Sequence, residues 1–148
     1  MKVFIGADHR GFELKEHLKK FLSEKGYEVE DCGNAAYDKD DDYPDFAANV
    51  SKKVGKSGEE GRGIVVCGSG IGISMAANKF PGIRATIGIN PDHVFHGRDA
   101  DDINVLALAP DYTDQKTMDA MVEMFLKTPF SREDRHNRRI SKVASFEK

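Results

Sequence analysis

The sequence predicts an α/β fold, with a five-stranded, mostly parallel sheet covered by helices on both faces. Three observations predict it. Short β-branched runs alternate with helical patterns along the whole chain. The clearest run, Gly63-Ile64-Val65-Val66-Cys67, is apolar at successive positions, as a parallel strand buried on both faces must be. No linker, repeat or low-complexity tract interrupts the 148 residues, which amount to about one domain. Strands separated by helices need crossover connections, and these favour parallel pairing.

Val3-Phe4-Ile5 forms the first strand and runs into a loop at Gly6-Ala7-Asp8. Leu14, Leu18, Phe21 and Leu22 then recur at helical spacing, the stripe of an amphipathic helix. Gly26 ends that helix. Tyr27 to Cys32 reads as a weaker second strand, and Gly33 to Tyr43 as a polar loop. Phe46, Ala47, Val50 and Val54 mark a second helix, with Pro44 near its start where proline is tolerated. After the third strand come a glycine-rich turn and a helix around Gly72 to Asn78. Ile83 to Ile89 is the fourth strand and Ile103 to Ala109 the fifth. Between them, His93 and His96 with Asp92, Asp99, Asp101 and Asp102 read as a polar loop. Met118, Met121, Val122, Phe125 and Leu126 stripe a further helix. The basic segment from Arg132 to Lys142 forms the last helix, extending over about 132–147.

Hydrophobic residues are 39% and charged residues 32% of the chain, and the formal net charge is −3. That balance argues against a general nucleic-acid binder and against an anionic-membrane binder. The apolar runs fall well short of the ~20 residues that span a bilayer. The start, Met1-Lys2-Val3-Phe4-Ile5-Gly6, meets Asp8 almost at once and shows no signal-peptide pattern. The two cysteines, Cys32 and Cys67, form no CxxC pair, so a reducing cytoplasm is expected.

In sheets of this class the ligand crevice lies at the carboxyl ends of the strands. Two loops are therefore of interest, Asp8-His9 after strand one and Cys67-Gly68-Ser69-Gly70-Ile71-Gly72 after strand three. Gly68, Gly70 and Gly72 let backbone N–H groups approach a ligand at the start of a helix, where anions are favoured. The loop lacks a P-loop lysine and departs from the dinucleotide pattern. Asp92 nevertheless lies where a ribose-binding acid would sit, so a dinucleotide site stays open beside a plain tight turn. Cys67 is either a buried inert thiol or a base or nucleophile favoured by the helix N-terminus, with Ser69 to orient it. Arg135 and Arg139, four apart, share one helix face. They are either solvated or a clamp on a phosphate. The His93 and His96 cluster matches no zinc pattern. Asp38, Asp40 and Asp42 alternate as in a calcium loop, but Tyr43 and Asn49 stand where glycine and glutamate are needed. No metal is expected.

Several segments together resemble one family. They are Gly6-Ala7-Asp8-His9-Arg10-Gly11, Asp42-Tyr43-Pro44, Cys67-Gly68-Ser69-Gly70-Ile71-Gly72-Ile73-Ser74, Ala76-Ala77-Asn78-Lys79, Gly82-Ile83-Arg84-Ala85 and Arg135-His136-Asn137-Arg138-Arg139. The resemblance is to the type B ribose-5-phosphate isomerases, which include galactose-6-phosphate and allose-6-phosphate isomerases. It implies a single-domain, doubly wound (Rossmann-like) three-layer α/β/α sandwich and a homodimer, with a tetramer as the alternative. It implies aldose–ketose isomerisation of a sugar phosphate through an enediolate, with no metal or organic cofactor.

By that resemblance Cys67 is the base that moves a proton between C1 and C2, and Ser69 supports it. Backbone amides from Gly68 through Gly70 and Ile71 to Gly72 hold the enediolate oxygen. Asp8 orients substrate hydroxyls and Tyr43 lines the pocket. Asp101 is counted with the substrate-binding residues. His9, Arg135 and Arg139 hold the phosphate, the arginines reaching in from the partner subunit. Two positions depart from the family pattern. Ala100 stands where a ring-opening histidine is usual, and Asp111 where a phosphate-binding arginine is common. Ribose 5-phosphate is the leading substrate. A tetrulose 4-phosphate, galactose 6-phosphate and allose 6-phosphate are alternatives, as is a non-catalytic sugar-phosphate-binding role.

Overall fold

The computed structural model describes residues 1–147. Its elements are β1 (Lys2–Ala7), α1 (Phe12–Glu24), β2 (Glu28–Asp31), α2 (Tyr43–Ser57), a 3-10 turn (Gly58–Glu60), β3 (Gly61–Val66), α3 (Ile71–Ala77), β4 (Ala85–Ile87), α4 (Pro91–Asp101), β5 (Val105–Leu108), α5 (Gln115–Lys127) and α6 (Asp134–Ala144). The five strands lie in the order β2-β1-β3-β5-β4, and every pairing is parallel. The direction of winding reverses between β1 and β3, so that pair is the switch point where a crevice opens.

The period of two along each strand sorts side chains onto two faces. Val3, Ile5, Ala7, Ile64 and Val66 pack with Leu14, Leu18 and Leu22 of α1 and with Met121, Val122 and Phe125 of α5. Phe4, Val65 and Cys67 pack with Ala47, Val50 and Val54 of α2 and with Ile73 and Ala77 of α3. Cys67 thus continues the alternation set by Val65, which turns its thiol toward α3. Val94 of α4 joins the first cluster, and α6 rests on α4. Three layers result, as the sequence predicts.

The segment read as a polar loop is the helix α4. Its Asn90 N-cap accepts the His93 N–H at 2.8 Å, and Pro91 opens its first turn. These are helix-start signals, but the buried stripe of Val94, Gly97, Arg98 and Ala100 includes an arginine and so does not read as apolar. The outer strands are shorter than their hydrophobic runs. The regular part of α6 ends at Ala144, inside the 132–147 read from sequence.

Glycine matters most at position 11. A Cβ on Gly11 would lie 2.7 Å from the Val66 carbonyl oxygen and 2.6 Å from a Val66 methyl. Here the first turn after β1 presses against the end of β3. Gly11→Ala should therefore lower stability by about 1–3 kcal/mol through overpacking. The check is the urea midpoint at an unchanged m-value; an unshifted midpoint would show that the contact relaxes freely.

Candidate active site

Pairing of β1 with β3 sets Ala7 opposite Val66, so the loops that leave these strands begin side by side. The Asp8 N–H donates to the Val66 carbonyl at 3.2 Å, and the Asp111 N–H donates to the Gly68 carbonyl at 3.1 Å. Because β5 lies next to β3, its carboxyl end joins the same crevice. The three loops after β1, β3 and β5 therefore form one site.

Cys67 is buried at the base of this site. Its Sγ accepts the Gly70 N–H at 3.1 Å. Gly70 makes that turn in the left-handed region, with φ of 72°, where a side chain would be strained. The Ser69 hydroxyl accepts the Ile71 N–H at 3.2 Å. Of the amides expected to face a ligand, those of Gly70 and Ile71 are thus already engaged. Those of Gly68, Ser69 and Gly72 have no acceptor among the described residues. Tyr43, the first residue of α2, lies on Gly72 so closely that a Cβ there would come within 2.5 Å of the phenol ring. Glycine at 72 therefore lets Tyr43 wall the loop.

On the β1 side, Asp8 is buried and its Oδ1 accepts the N–H groups of Arg10 and Gly11, at 2.9 and 3.2 Å. Burial raises its carboxyl above the ordinary range, and those two hydrogen bonds offset only part of the effect. His9 is held twice by Asp41, which accepts the backbone N–H at 2.9 Å and lies 2.8 Å from Nδ1. Asp8, His9 and Asp41 place potential ligand atoms within 4.8 Å of one another. Within this cluster Asp41 positions His9, while Asp8 holds the backbone of Arg10 and Gly11.

The sequence reading gives no role to Asp41, to Lys15 or to a pairing of Arg10 with Asp111. Asp41 lies in a run of aspartates in which no spacing singles it out. Lys15 is fully buried inside α1, donating to Asp31 at 2.7 Å and to the Asn34 carbonyl at 2.6 Å. It fixes the start of the 33–42 loop that delivers Asp41, while Asn34 donates to Asp41 at 3.0 Å. Arg10 and Asp111 form an ion pair across the mouth of the crevice. A Cβ on Gly68 would come within 2.6 Å of both their side chains.

Other expected site residues are not brought here within one chain. Asp101 ends α4 at the opposite, amino-terminal side of the sheet, exposed and 3.9 Å from His96. The segment leading to α6 is tied to Asp99 through the Ser131 N–H at 3.1 Å, and Glu147 beyond the helix accepts the Gly82 N–H at 2.9 Å. Arg135 and Arg139 therefore lie away from the Cys67 loop of their own chain. Arg135 pairs with Glu133 at 2.8 Å, and Arg139 is exposed, with no ion pair among the described residues.

The sequence matches the family described as Ribose/Galactose Isomerase over residues 3–143. The chain belongs to this isomerase family. It is 38% identical over 146 residues to the probable ribose-5-phosphate isomerase B of Mycoplasma genitalium, covering 99% of this chain and 95% of that protein. It is 37% identical over 149 residues to the ribose-5-phosphate isomerase B of Mycobacterium tuberculosis, covering 100% of this chain and 91% of that protein. Among solved structures, ribose-5-phosphate isomerase B of Clostridium thermocellum superposes with a TM-score of 0.94 at 40% identity, covering 99% of this chain and 97% of that one. The Mycoplasma genitalium enzyme with bound ribulose-5-phosphate gives 0.94 at 38% identity, covering 99% and 95%. Within this isomerase family the crevice between the β1 and β3 loops is the candidate active site.

The hydrogen bond to Asp41 holds the His9 imidazole above its ordinary pKa of 6.5, more than desolvation lowers it. A folded-state value above the free value means that the imidazolium–Asp41 contact stabilises the fold fully below about pH 6.5 and is lost as pH rises through the folded-state value. In an NMR titration the His9 ring should titrate above 6.5 in the parent, and Asp41→Asn should lower its midpoint. A midpoint indifferent to Asp41→Asn would remove Asp41 from the site.

Proposed function

We propose that the protein interconverts ribose 5-phosphate and ribulose 5-phosphate through an enediolate. The observation that carries this reading is the placement of Cys67. Its sulfur lies under a glycine-rich turn, hydrogen-bonded to one amide of that turn, beside three further amides of the loop that have no acceptor among the described residues. Isomerisation needs a base at the acidified carbon and preorganised donors at the developing oxyanion. One loop supplies both.

In this mechanism the Cys67 thiolate takes the proton from C2 of the open-chain aldose. The electron pair moves into the C1–C2 bond, and the carbonyl oxygen on C1 takes up the negative charge. The N–H groups of Ser69 and Gly72 stabilise that oxygen. The thiol returns the proton to C1 while the O2 proton passes to O1, which gives the ketose. The Ser69 hydroxyl supports the sulfur, Asp8 binds substrate hydroxyls, and Tyr43 closes one side. The chemistry as written uses no metal and no organic cofactor.

The phosphate is held by His9 and, from a second copy of the chain, by Arg135 and Arg139, with Asp101 of that copy near the sugar. A homodimer with two equivalent sites follows. It is supported by the exposed basic face of α6 and by the exposed apolar side chains Ile71, Met75, Ile89, Val143 and Phe146. The whole chain, 1–148, acts as one isomerase domain. Among the described residues no helix is long and apolar enough to cross a membrane. Both cysteines are free, which fits a reducing cytoplasm.

Ala100 favours a second reading of the substrate. Closed ribose 5-phosphate needs an acid to open its ring, and alanine cannot donate a proton. A tetrulose 4-phosphate has its O4 esterified and cannot close into a furanose. A panel of four-, five- and six-carbon sugar phosphates, assayed for interconversion, tests the function. Turnover of ribose 5-phosphate above all others is expected. Preference for the tetrulose would move the assignment to the second reading, and binding without turnover of any member would overturn it.

Sharing of the site has its own test. Chains carrying Cys67→Ala, mixed with chains carrying Arg135→Ala and Arg139→Ala, should regain activity through one intact site per mixed dimer. A mixture no more active than its parents, under conditions of subunit exchange, would contradict it.

A further inference from the structure

A cavity with a volume of about 470 Å³ lies at the other end of the sheet from Cys67. The starts of β3 and β4, the end of α4 and the segment that leads to α6 enclose it. Arg62, Arg84, Arg98 and Arg132 line it, with Glu59 and Asp102 as the only acids in its wall among the described residues. Two positive charges are left over.

The acids are already shared out. Asp102 binds Arg98 through one oxygen and Arg84 through the other, both at 2.8 Å. Glu59 binds Arg132 at 2.9 Å. Arg98 is buried to 1% exposure, and its Nε donates to the Thr128 carbonyl at 3.1 Å, so the floor of the cavity is rigid. Arg62 is different. Its Nη1 donates to the Glu59 and Gly61 carbonyls, both at 2.9 Å. Its Nε is buried without a partner, and its Nη2 has none among the described residues. The unused Nε–Nη2 edge is a parallel pair of donors of the kind that matches two oxygens of a phosphate. Burial, together with the neighbouring guanidiniums of Arg98 and Arg84, holds Arg62 below its ordinary pKa range. A dianion would relieve that crowding.

We propose that this cavity is a second anion site, separate from the active site, that takes the phosphate group of a small phosphate monoester. The Nε–Nη2 edge of Arg62 receives two phosphate oxygens. Arg132, at the rim, closes over a third, and the volume beyond accepts the esterified group. A ligand held this way bridges the start of β3 to the segment from which α6 begins. The site does not depend on the proposed isomerase reaction.

The test is NMR of arginine Nε–H signals in the full-length protein, assigned with single Arg→Gln variants and titrated with inorganic phosphate and with glycerol phosphate. The Arg62 and Arg84 signals should shift saturably, with a Kd on the order of 1 mM for glycerol phosphate and weaker for inorganic phosphate. Arg132→Gln, at an exposed position, should weaken binding roughly tenfold. The response should persist in the Arg135→Ala, Arg139→Ala chain, which lacks the proposed active-site clamp. Non-saturating drift with both ligands, an unchanged midpoint in Arg132→Gln, or loss of the response in the Arg135→Ala, Arg139→Ala chain would each overturn the proposal.

Discussion

The parallel pairing of β1 with β3, in the register that sets Ala7 against Val66, is the constraint on which the rest of the site depends. It places the first turn after β1 so close to β3 that only glycine fits at position 11. It also puts buried Asp8 beside the loop that carries Cys67. Insertion of β5 between β3 and β4 then adds Asp111 to the same rim. None of these residues needs a long loop to arrive there. Each follows a strand end by a few positions, on a rigid scaffold, as a preorganised site requires.

Charge in the crevice is arranged in pairs. Asp41 holds His9, Asp111 holds Arg10, and Asp31 holds the buried Lys15. A fully buried lysine is tolerable only with partners, and here its partners fix the loop that brings Asp41 to His9. The substitution of an acid at 111 therefore has a local consequence: it anchors Arg10 over Gly68. On the proposed reading the chain carries the reacting half of a site and presents the phosphate-binding half, on α6, to another copy. That division accounts for the exposed basic face of α6, with Arg139 unpaired among the described residues.

The sequence was most legible where short-range patterns coincide with structure. The apolar runs of β1 and β3, the helical stripes of α1, α2 and α5, and the glycine loop after Cys67 all lie where the pattern places them. Reading failed at α4 because Arg98 occupies a buried position in its stripe, bonded to carbonyls and Asp102, so the periodicity breaks although the helix does not. It failed also for contacts far apart in the chain. Asp41 meets His9 across 32 positions and Asp111 meets Arg10 across 101, and no local spacing announces such pairs. Within the glycine loop the amides of Gly70 and Ile71 are engaged by the Cys67 sulfur and the Ser69 hydroxyl, a detail that residue spacing alone does not carry.

The central claim is that the Cys67 sulfur moves the proton between C1 and C2. Its most direct test is exchange of the C2 hydrogen of ribose 5-phosphate, deuterated at that carbon, with solvent water. The parent chain should release the label at a rate comparable with turnover. Cys67→Ala should abolish the exchange while the fold and phosphate binding stay near those of the parent. Exchange retained at more than a few per cent of the parent rate in a folded Cys67→Ala chain would assign the proton to another group and contradict the account.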